Sequence, residues 1–228
     1  MLVSALRTHP EIVCYGELFR KNKKEFKGPL KIIEELDPYF HDEKVQQEKW
    51  RDFLDEVAAK SLEFRFMGYK LMLNQNAVVL RGMINDPSCK KILLKRDNVL
   101  AVYSSEKIAR VTGQGSAGRF AEVKTAKVEF VPSEFDSFES KYEQRYSQIE
   151  QELTQADPAY FKTTYTELCK PQGIKSVIAF IGADKLNKWK IPTKKRNTSN
   201  ILDRFTNPEV LLEYLTLTSK QSWLLENT

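Results

Sequence analysis

The sequence has little cysteine, and its cysteines are not arranged for a bridge or a metal site. Cys14, Cys89 and Cys169 are the three cysteines in 228 residues, and no two of them form a CxxC pair. An odd, widely spaced set predicts neither a disulfide framework nor a zinc site. Such a set is typical of reduced thiols in a cytosolic protein, and we expect no metal cofactor.

Long apolar runs are also lacking. The longest run, Ser176 to Ala183, is far shorter than the roughly 20 apolar residues that a membrane-spanning helix needs. The first residues lack the basic region that begins a signal peptide. We therefore expect no integral membrane segment.

The composition excludes a disordered or low-complexity chain. Hydrophobic residues make up 41% and charged residues 29% of the sequence, which is ordinary for a folded protein. The length suffices for a substantial core, and no repeat or linker marks a boundary. The sequence predicts a single domain over residues 1–228.

The net charge of +5 is modest, so it favours an anionic small ligand and does not indicate nucleic acid. One stretch near the end is strongly basic. It contains no acidic residue between its first and last basic residues, which are Lys185, Lys188, Lys190, Lys194, Lys195 and Arg196. A charge run of this kind is usually a solvated surface, and it becomes a candidate site only with independent support.

The apolar pattern alternates between strands and helices. "FRFMGYKLML", "KKILLKR" and "FKTTYTELC" suit buried strands, while Val45 to Leu62 carries apolar residues at helical spacing. "KSVIAFIGAD" fits a buried strand or a buried helix. Near the end, Thr206 or Asn207 caps a helix that begins at Pro208. Alternation of this kind predicts an α/β fold, a parallel sheet flanked by helices.

Ligands of parallel sheets bind outside the carboxyl ends of the strands, which directs attention to Lys70 and Arg96. After the strand that ends at Arg96, Asp97 is a capping residue and Asn98 onward fits a helix. Ser104 lies eight residues after Arg96, a little over two helical turns, so its hydroxyl can face back toward the arginine. Arginine and serine together suit a phosphate group, although an arginine at a strand end is also a common structural ion-pair partner.

Arg96-Asp97 followed by Ser104 resembles the 3'-phosphate-binding signature of sulfotransferases that use 3'-phosphoadenosine 5'-phosphosulfate (PAPS). Further segments resemble the same family in the same order, and they are "LRTHPEIVCYGELF", "FMGYKLM", "YFKTTYTELC", "VIAFIGAD" and "KKRNTSNILDRFTNPEVLLEYL". The resemblance is closest to the bacterial carbohydrate branch, which includes trehalose and Nod-factor sulfotransferases. It implies a P-loop-containing nucleotide hydrolase-like parallel sheet flanked by helices, and it makes "VIAFIGAD" a helix.

The resemblance also implies roles for individual residues. Arg96 and Ser104 would hold the 3'-phosphate of PAPS, the sulfuryl donor, and the acceptor would be a hydroxyl of a carbohydrate or glycolipid. Lys70 lies where family members often carry a lysine near the transferring sulfonate, although it also fits an ordinary surface lysine. Glu17 is the candidate general base. His9 is its rival, although beside Pro10 it fits a helix-ending turn, and Cys14 lacks the orienting group that a thiol nucleophile needs.

Two features of the family bear on the ends of the chain. Sulfotransferases commonly close the nucleotide site with a basic loop late in the sequence. Lys195 and Arg196 are therefore candidate phosphate contacts, with a solvated loop as the alternative. The family's most specific motif, a strand and a phosphosulfate-binding loop, should precede Met1 and is absent, so we expect an N-terminally truncated chain with weakened donor binding. The alternative function is a noncatalytic nucleotide-binding or interaction module derived from the same fold.

Overall fold

A computed structural model describes residues 1–19, 43–115, 122–156, 159–184 and 197–226. In these ranges the chain is a mixed α/β protein with short parallel strands flanked by helices. The predicted α/β class is confirmed, while the finer prediction of a P-loop-type sheet stays a prediction. None of the helices in the described ranges is long and apolar enough to cross a membrane.

The elements alternate along the chain. The described strands are β1 (Ile12–Glu17), β2 (Phe66–Lys70), β3 (Ile92–Lys95) and β4 (Phe161–Thr164). The described α-helices are α1 (Leu2–Leu6), α2 (Glu43–Glu48), α3 (Trp50–Ala59), α4 (Ala77–Ile84), α5 (Val99–Thr112), α6 (Pro132–Ala156), α7 (Tyr165–Leu168), α8 (Pro171–Ile181) and α9 (Pro208–Leu217). Short 3₁₀-helices cover Leu202–Arg204 and Gln221–Leu224. β1 pairs with β2, and β3 pairs with β4.

The described residues form two compact units. The first unit contains residues 1–19, 43–92, 152–156, 159–161 and 174–184. The second contains residues 93–115, 122–151, 162–173 and 197–226. The prediction of one domain over residues 1–228 stays a prediction.

In the first unit, β1 and β2 are parallel neighbours. Ile12 lies opposite Phe66 and Glu17 lies opposite Lys70, with an irregularity in register between Cys14 and Glu17. The predicted strand in "FRFMGYKLML" is confirmed over Phe66–Lys70. The sequence patterns did not single out β1, although its first four residues, Ile12 to Tyr15, are apolar and buried.

The predicted helix over Val45 to Leu62 forms as two helices, α2 and α3, with Lys49 between them. Trp50, Phe53, Leu54 and Val57 of α3 are buried in the core of the first unit, as their spacing predicts. The prediction is wrong for Leu62, whose side chain is 84% exposed. Because α3 ends at Ala59, Leu62 no longer follows the apolar stripe of the helix.

"KSVIAFIGAD" lies in α8 and the residues just after it, so the helix that the resemblance implied is confirmed. Ile174, Val177 and Ile178 form the buried face of α8. The helix ends before Gly182, which has a φ of 87°, in the left-handed region that glycine adopts without strain. The predicted strand in "FKTTYTELC" is confirmed only over Phe161–Thr164. Thr164 then caps α7, because its hydroxyl accepts from the Glu167 N–H and the Glu167 carboxylate accepts from the Thr164 N–H.

The core of the second unit is strongly aromatic. Tyr103, Phe130, Phe135 and Phe205 are buried in it and contact one another through their rings. The predicted C-terminal helix is confirmed as α9, and its buried residues include Leu211 and Leu215. Asn207 precedes the helix, but its side chain bonds to the backbone of Phe130 instead of capping α9.

The segment that follows β3 positions the candidate residues of the second unit. β3 ends at Lys95, and α5 begins at Val99. The residue that caps α5 is Asn98, whose Oδ1 accepts a hydrogen bond of 2.9 Å from the Ala101 N–H. The prediction of Asp97 as the cap is wrong, because the N-cap position lies one residue later.

Candidate functional site

The predicted site residues fall into two groups, one in each unit. Glu17 and Lys70 belong to the first unit, and Arg96 and Ser104 belong to the second. Lys195 and Arg196 lie outside the described residues.

In the first unit the structure brings Glu17 and Lys70 together. They lie opposite each other at the carboxyl ends of β1 and β2, and Lys70 Nζ donates to Glu17 Oε1 over 2.9 Å. Gln75 Nε2 donates to the other carboxylate oxygen over 2.8 Å. Both charged side chains are partly exposed, 28% for Glu17 and 43% for Lys70, so an outside molecule can reach them.

The backbone directly before Glu17 is in the left-handed conformation. Gly16 has a φ of 73°, where a residue with a Cβ is strained, and a Cβ at this position would lie 3.3 Å from the Arg7 guanidinium. The same arginine donates through Nε to the carbonyl of Cys14 over 2.5 Å. The left-handed backbone at Gly16 coincides with the irregular register between Cys14 and Glu17.

The alternatives to Glu17 have structural surroundings. His9 is buried, its Nδ1 accepts from the Glu11 N–H, and its Nε2 therefore donates to the carbonyl of Asp184 over 2.9 Å. These backbone contacts match the turn-stabilising role considered for His9. Cys14 is also buried, and burial raises the pKa of its thiol, which disfavours the reactive thiolate.

In the second unit, Arg96 is an ion-pair partner of Glu226. Arg96 Nε donates to Glu226 Oε1 over 2.8 Å, and Arg96 Nη2 contacts the same oxygen. The guanidinium also lies over the ring of Tyr165, 4.9 Å from its centroid. The Tyr142 hydroxyl bonds to both the N–H and the C=O of Arg96, which fixes the backbone at the end of β3.

Ser104 contacts a second arginine that the sequence patterns did not reveal. Its hydroxyl donates to the Ala101 carbonyl over 3.2 Å and accepts from Arg204 Nη1 over 3.0 Å. Arg204 Nη2 in turn donates to Glu226 Oε2 over 2.9 Å. Arg96, Glu226, Arg204 and Ser104 are therefore connected in one hydrogen-bonded series, which we call the Arg96–Ser104 cluster.

The members of the Arg96–Ser104 cluster differ in exposure. The side chains of Arg204 and Glu226 are 2% and 4% exposed, and Ser104 is completely buried, whereas that of Arg96 is 27% exposed. Arg204 is further held by the carbonyl of Thr198, which accepts from Nε and Nη2. An outside anion therefore meets Arg96 first, and Ser104 lies behind Arg204.

Burial and pairing compete in setting the charge states of this cluster. Burial alone would raise the pKa of the Glu226 carboxyl, but the charge of Arg96 and the hydrogen bonds from Arg204 and Arg96 outweigh it, so the pKa is lowered. Burial lowers the pKa of Arg204, while its bond to Glu226 acts in the opposite direction. Two guanidinium groups thus converge on one ionised carboxylate.

A small pocket of about 150 Å³ opens beside Arg96. Its lining includes Arg96, Asn98, Tyr165, Ser222, Trp223 and Glu226. The volume is below the roughly 300 to 1,000 Å³ of pockets that enclose a whole drug-sized ligand. The pocket is therefore sized for one group of a larger molecule, and Arg96 lines it beside two carboxylates, those of Asp97 and Glu226.

Sequence spacing identified Arg96 and Ser104 but neither Arg204 nor Glu226. Glu226 lies 130 residues from Arg96 and 22 residues from Arg204, so no local motif connects them. Within the described ranges, no group of three or more His, Cys, Asp or Glu side chains is arranged to hold a metal ion. Comparison of the chain with protein-family models, with curated proteins and with solved structures finds no match.

Proposed function

We propose that the chain is a PAPS-dependent sulfotransferase that acts on a hydroxyl of a carbohydrate or glycolipid. The observation that carries the proposal is the placement of Arg96: it directly follows a strand, its guanidinium is partly exposed, and it lines a pocket sized for one group of a larger molecule. The resemblance of Arg96-Asp97 and Ser104 to the 3'-phosphate signature supports the same assignment.

The residues of the second unit fit the 3'-phosphate of the donor. A guanidinium is suited to phosphate because its planar fork donates two charge-assisted hydrogen bonds. The ring of Tyr165 holds the guanidinium from one face, so the fork is oriented in advance. Ser104 contributes by holding Arg204 in place, and direct contact of its hydroxyl with phosphate stays a prediction.

The residues of the first unit fit the chemical step. When bound, PAPS would supply the sulfuryl group that passes to the acceptor oxygen, and 3',5'-adenosine bisphosphate would leave with the negative charge on its 5'-phosphate oxygen. Glu17 accepts the proton of the acceptor hydroxyl at a carboxylate oxygen, which makes that hydroxyl oxygen a better nucleophile. Lys70 places an ammonium charge beside this carboxylate, where it stabilises negative charge that develops during transfer.

Calorimetric titration with 3',5'-adenosine bisphosphate tests the donor site. We expect binding by the intact chain and a loss of about 1.5 to 3 kcal/mol of binding free energy in Arg96→Gln, because a charge-assisted bond to phosphate is removed. Arg110→Gln is the matched control, since Arg110 belongs to the same unit but its side chain is 77% exposed and pairs with Glu106.

A second measurement separates the enzyme from a binding module. Transfer of labelled sulfate from PAPS to carbohydrate acceptors supports the sulfotransferase, whereas binding without transfer supports the noncatalytic nucleotide-binding module. Absence of any binding of 3',5'-adenosine bisphosphate, both to the intact chain and to variants of the Arg96–Ser104 cluster, contradicts both.

A further inference from the structure

We infer that Glu226 is an internal competitor for the phosphate site, and that a bound phosphate replaces its carboxylate on Arg96. This inference rests on the proposed function, because it takes Arg96 as the phosphate ligand. It goes further by assigning a regulatory role to a residue far from the sequence signature.

The Glu226 carboxylate lies against one edge of the Arg96 guanidinium. Glu226 Oε1 accepts from Arg96 through Nε and contacts Nη2, the two nitrogens on one edge of the guanidinium fork. A phosphate that binds bidentately uses such an edge. The carboxylate and the phosphate therefore require the same donors, and two anions at contact distance repel each other.

The two arginines that bind Glu226 differ in their exposure and in their other partners. Arg204 is buried and retains the Thr198 carbonyl and the Ser104 hydroxyl as partners when Glu226 leaves. Arg96 lines the pocket and is the arginine that a ligand reaches. An incoming phosphate therefore exchanges with Glu226 at Arg96, while Arg204 stays in place.

The backbone of Glu226 is held by a short pairing with residues 199–201. The Glu226 N–H donates to the Ser199 carbonyl over 3.0 Å, and the Ile201 N–H donates to the Leu224 carbonyl over 2.9 Å. These bonds flank a single antiparallel bridge between Asn200 and Leu225. Leu225 is 58% exposed, so separating it from Asn200 uncovers little apolar surface, whereas Leu224 packs against the aromatic core. Residues 225–226 are thus able to open locally while Leu224 stays on the core.

If Glu226 competes for Arg96, the intact chain binds phosphate less tightly than the same site would bind it without the Glu226 charge. Part of the binding free energy is used to displace the carboxylate and to leave Arg204 with neutral partners. Neutralising Glu226 removes the charge that competes for Arg96. We therefore expect Glu226→Gln to bind 3',5'-adenosine bisphosphate at least about tenfold more tightly than the intact chain.

The matched control is Glu143→Gln. Glu143 belongs to the same unit and pairs with Lys95, the residue before Arg96, but its side chain is 45% exposed. Glu143→Gln removes one negative charge near Arg96 and leaves the Glu226 carboxylate bonded to the Arg96 guanidinium. We expect its affinity to stay within about twofold of that of the intact chain.

Hydrogen–deuterium exchange on the intact chain provides a readout that does not depend on the folding of a variant. We expect 3',5'-adenosine bisphosphate to accelerate amide exchange in residues 225–226, because the Glu226 amide loses its bond to Ser199. Exchange in α9, in the same unit, serves as the internal reference. Adenosine, which carries no phosphate, is expected to leave residues 225–226 unchanged.

The outcomes separate the two proposals. Tighter binding by Glu226→Gln, or faster exchange in residues 225–226 on binding, supports the competition. Binding with unchanged or slower exchange, and no gain in a folded Glu226→Gln, overturns the competition and leaves the donor site standing. No binding to the intact chain or to the variant overturns both. If Glu226→Gln does not fold, the exchange measurement on the intact chain decides.

Discussion

Lys70 Nζ lies 2.9 Å from Glu17 Oε1, and the two residues are register partners at the carboxyl ends of adjacent parallel strands. The pairing joins an acid and a base separated by 53 positions in the sequence. Parallel strands end at the same edge of a sheet, so this edge collects the side chains that follow both strands. The arrangement places a carboxylate and an ammonium group side by side.

The first prediction concerns the proton acceptor. In a chain that transfers sulfate, Glu17→Gln should lower the transfer rate about 100- to 10,000-fold, because the amide cannot take the hydroxyl proton. Stability should change by less than about 1 kcal/mol, since the pair is partly exposed. Single-turnover transfer of labelled sulfate and urea unfolding measure the two effects. Near-normal transfer would exclude Glu17 as the base, and Glu48→Gln, with its exposed Lys44 pair, is the control.

The second prediction concerns a close backbone approach. A Cβ added at Gly173 would lie 2.1 Å from the Glu167 carbonyl oxygen, and this oxygen belongs to backbone that cannot rotate away. Gly173→Ala should therefore lower the free energy of unfolding by roughly 1 to 3 kcal/mol, the usual cost of overpacking. Gly115→Ala is the control, because in the part of the chain that the structure describes no atom beyond its immediate chain neighbours lies within 4 Å of its added Cβ. Equal urea midpoints for the two variants would contradict the close approach.

The third prediction concerns the end of α8. Lys90 Nζ donates to the carbonyls of Phe180 and Ile181 over 2.9 and 2.8 Å, which satisfies two acceptors left unpaired at a helix C-terminus. Lys90→Met keeps the aliphatic stem and removes the charge. We expect a loss of about 1 kcal/mol in the free energy of unfolding. Lys90→Arg should recover part of it, and a Lys90→Met variant as stable as the intact chain would show that the contact contributes nothing.

Local pattern predicted much of the fold but little of the hydrogen bonding at the site. β2, β3 and α9 follow from short apolar runs and helical spacing, because burial of one face selects them locally. Leu62 was placed wrongly because the point where a helix ends depends on the surrounding fold. The sequence patterns do not single out β1, because an apolar run of four residues, Ile12 to Tyr15, has no clear period of its own.

The partners of the candidate site residues could not be predicted from local sequence. Spacing draws attention to Arg96, just after β3, and to Ser104 in α5. The partner of Arg96 is Glu226, 130 positions away, and Ser104 meets Arg204 100 positions away. Such pairs arise when the whole unit packs, and a buried charge is tolerated only because another charge meets it there. No residue pattern around Arg204 or Glu226 encodes that meeting.

The fourth prediction concerns the dependence of stability on pH. The pKa of Glu226 is lowered from its ordinary value of 4.5, so the folded state favours the ionised carboxylate more than the unfolded state does. The resulting stabilisation is present above the unfolded pKa and is lost as the pH falls through the folded pKa. Glu226→Gln should therefore be less stable than the intact chain by about 3 kcal/mol at about pH 7, the order of cost for breaking a buried ion pair.

The difference between the intact chain and Glu226→Gln should shrink as the pH is lowered, because protonation removes from the intact chain the charge that the variant never had. Urea unfolding at about pH 7 and at successively lower pH measures it. Other carboxylates with lowered pKa values, such as Glu134 and Glu167, act equally in both proteins and cancel from the difference. Glu143→Gln should differ from the intact chain by less than about 1 kcal/mol throughout. A constant difference between Glu226→Gln and the intact chain would mean that Glu226 acts through packing and not through its charge.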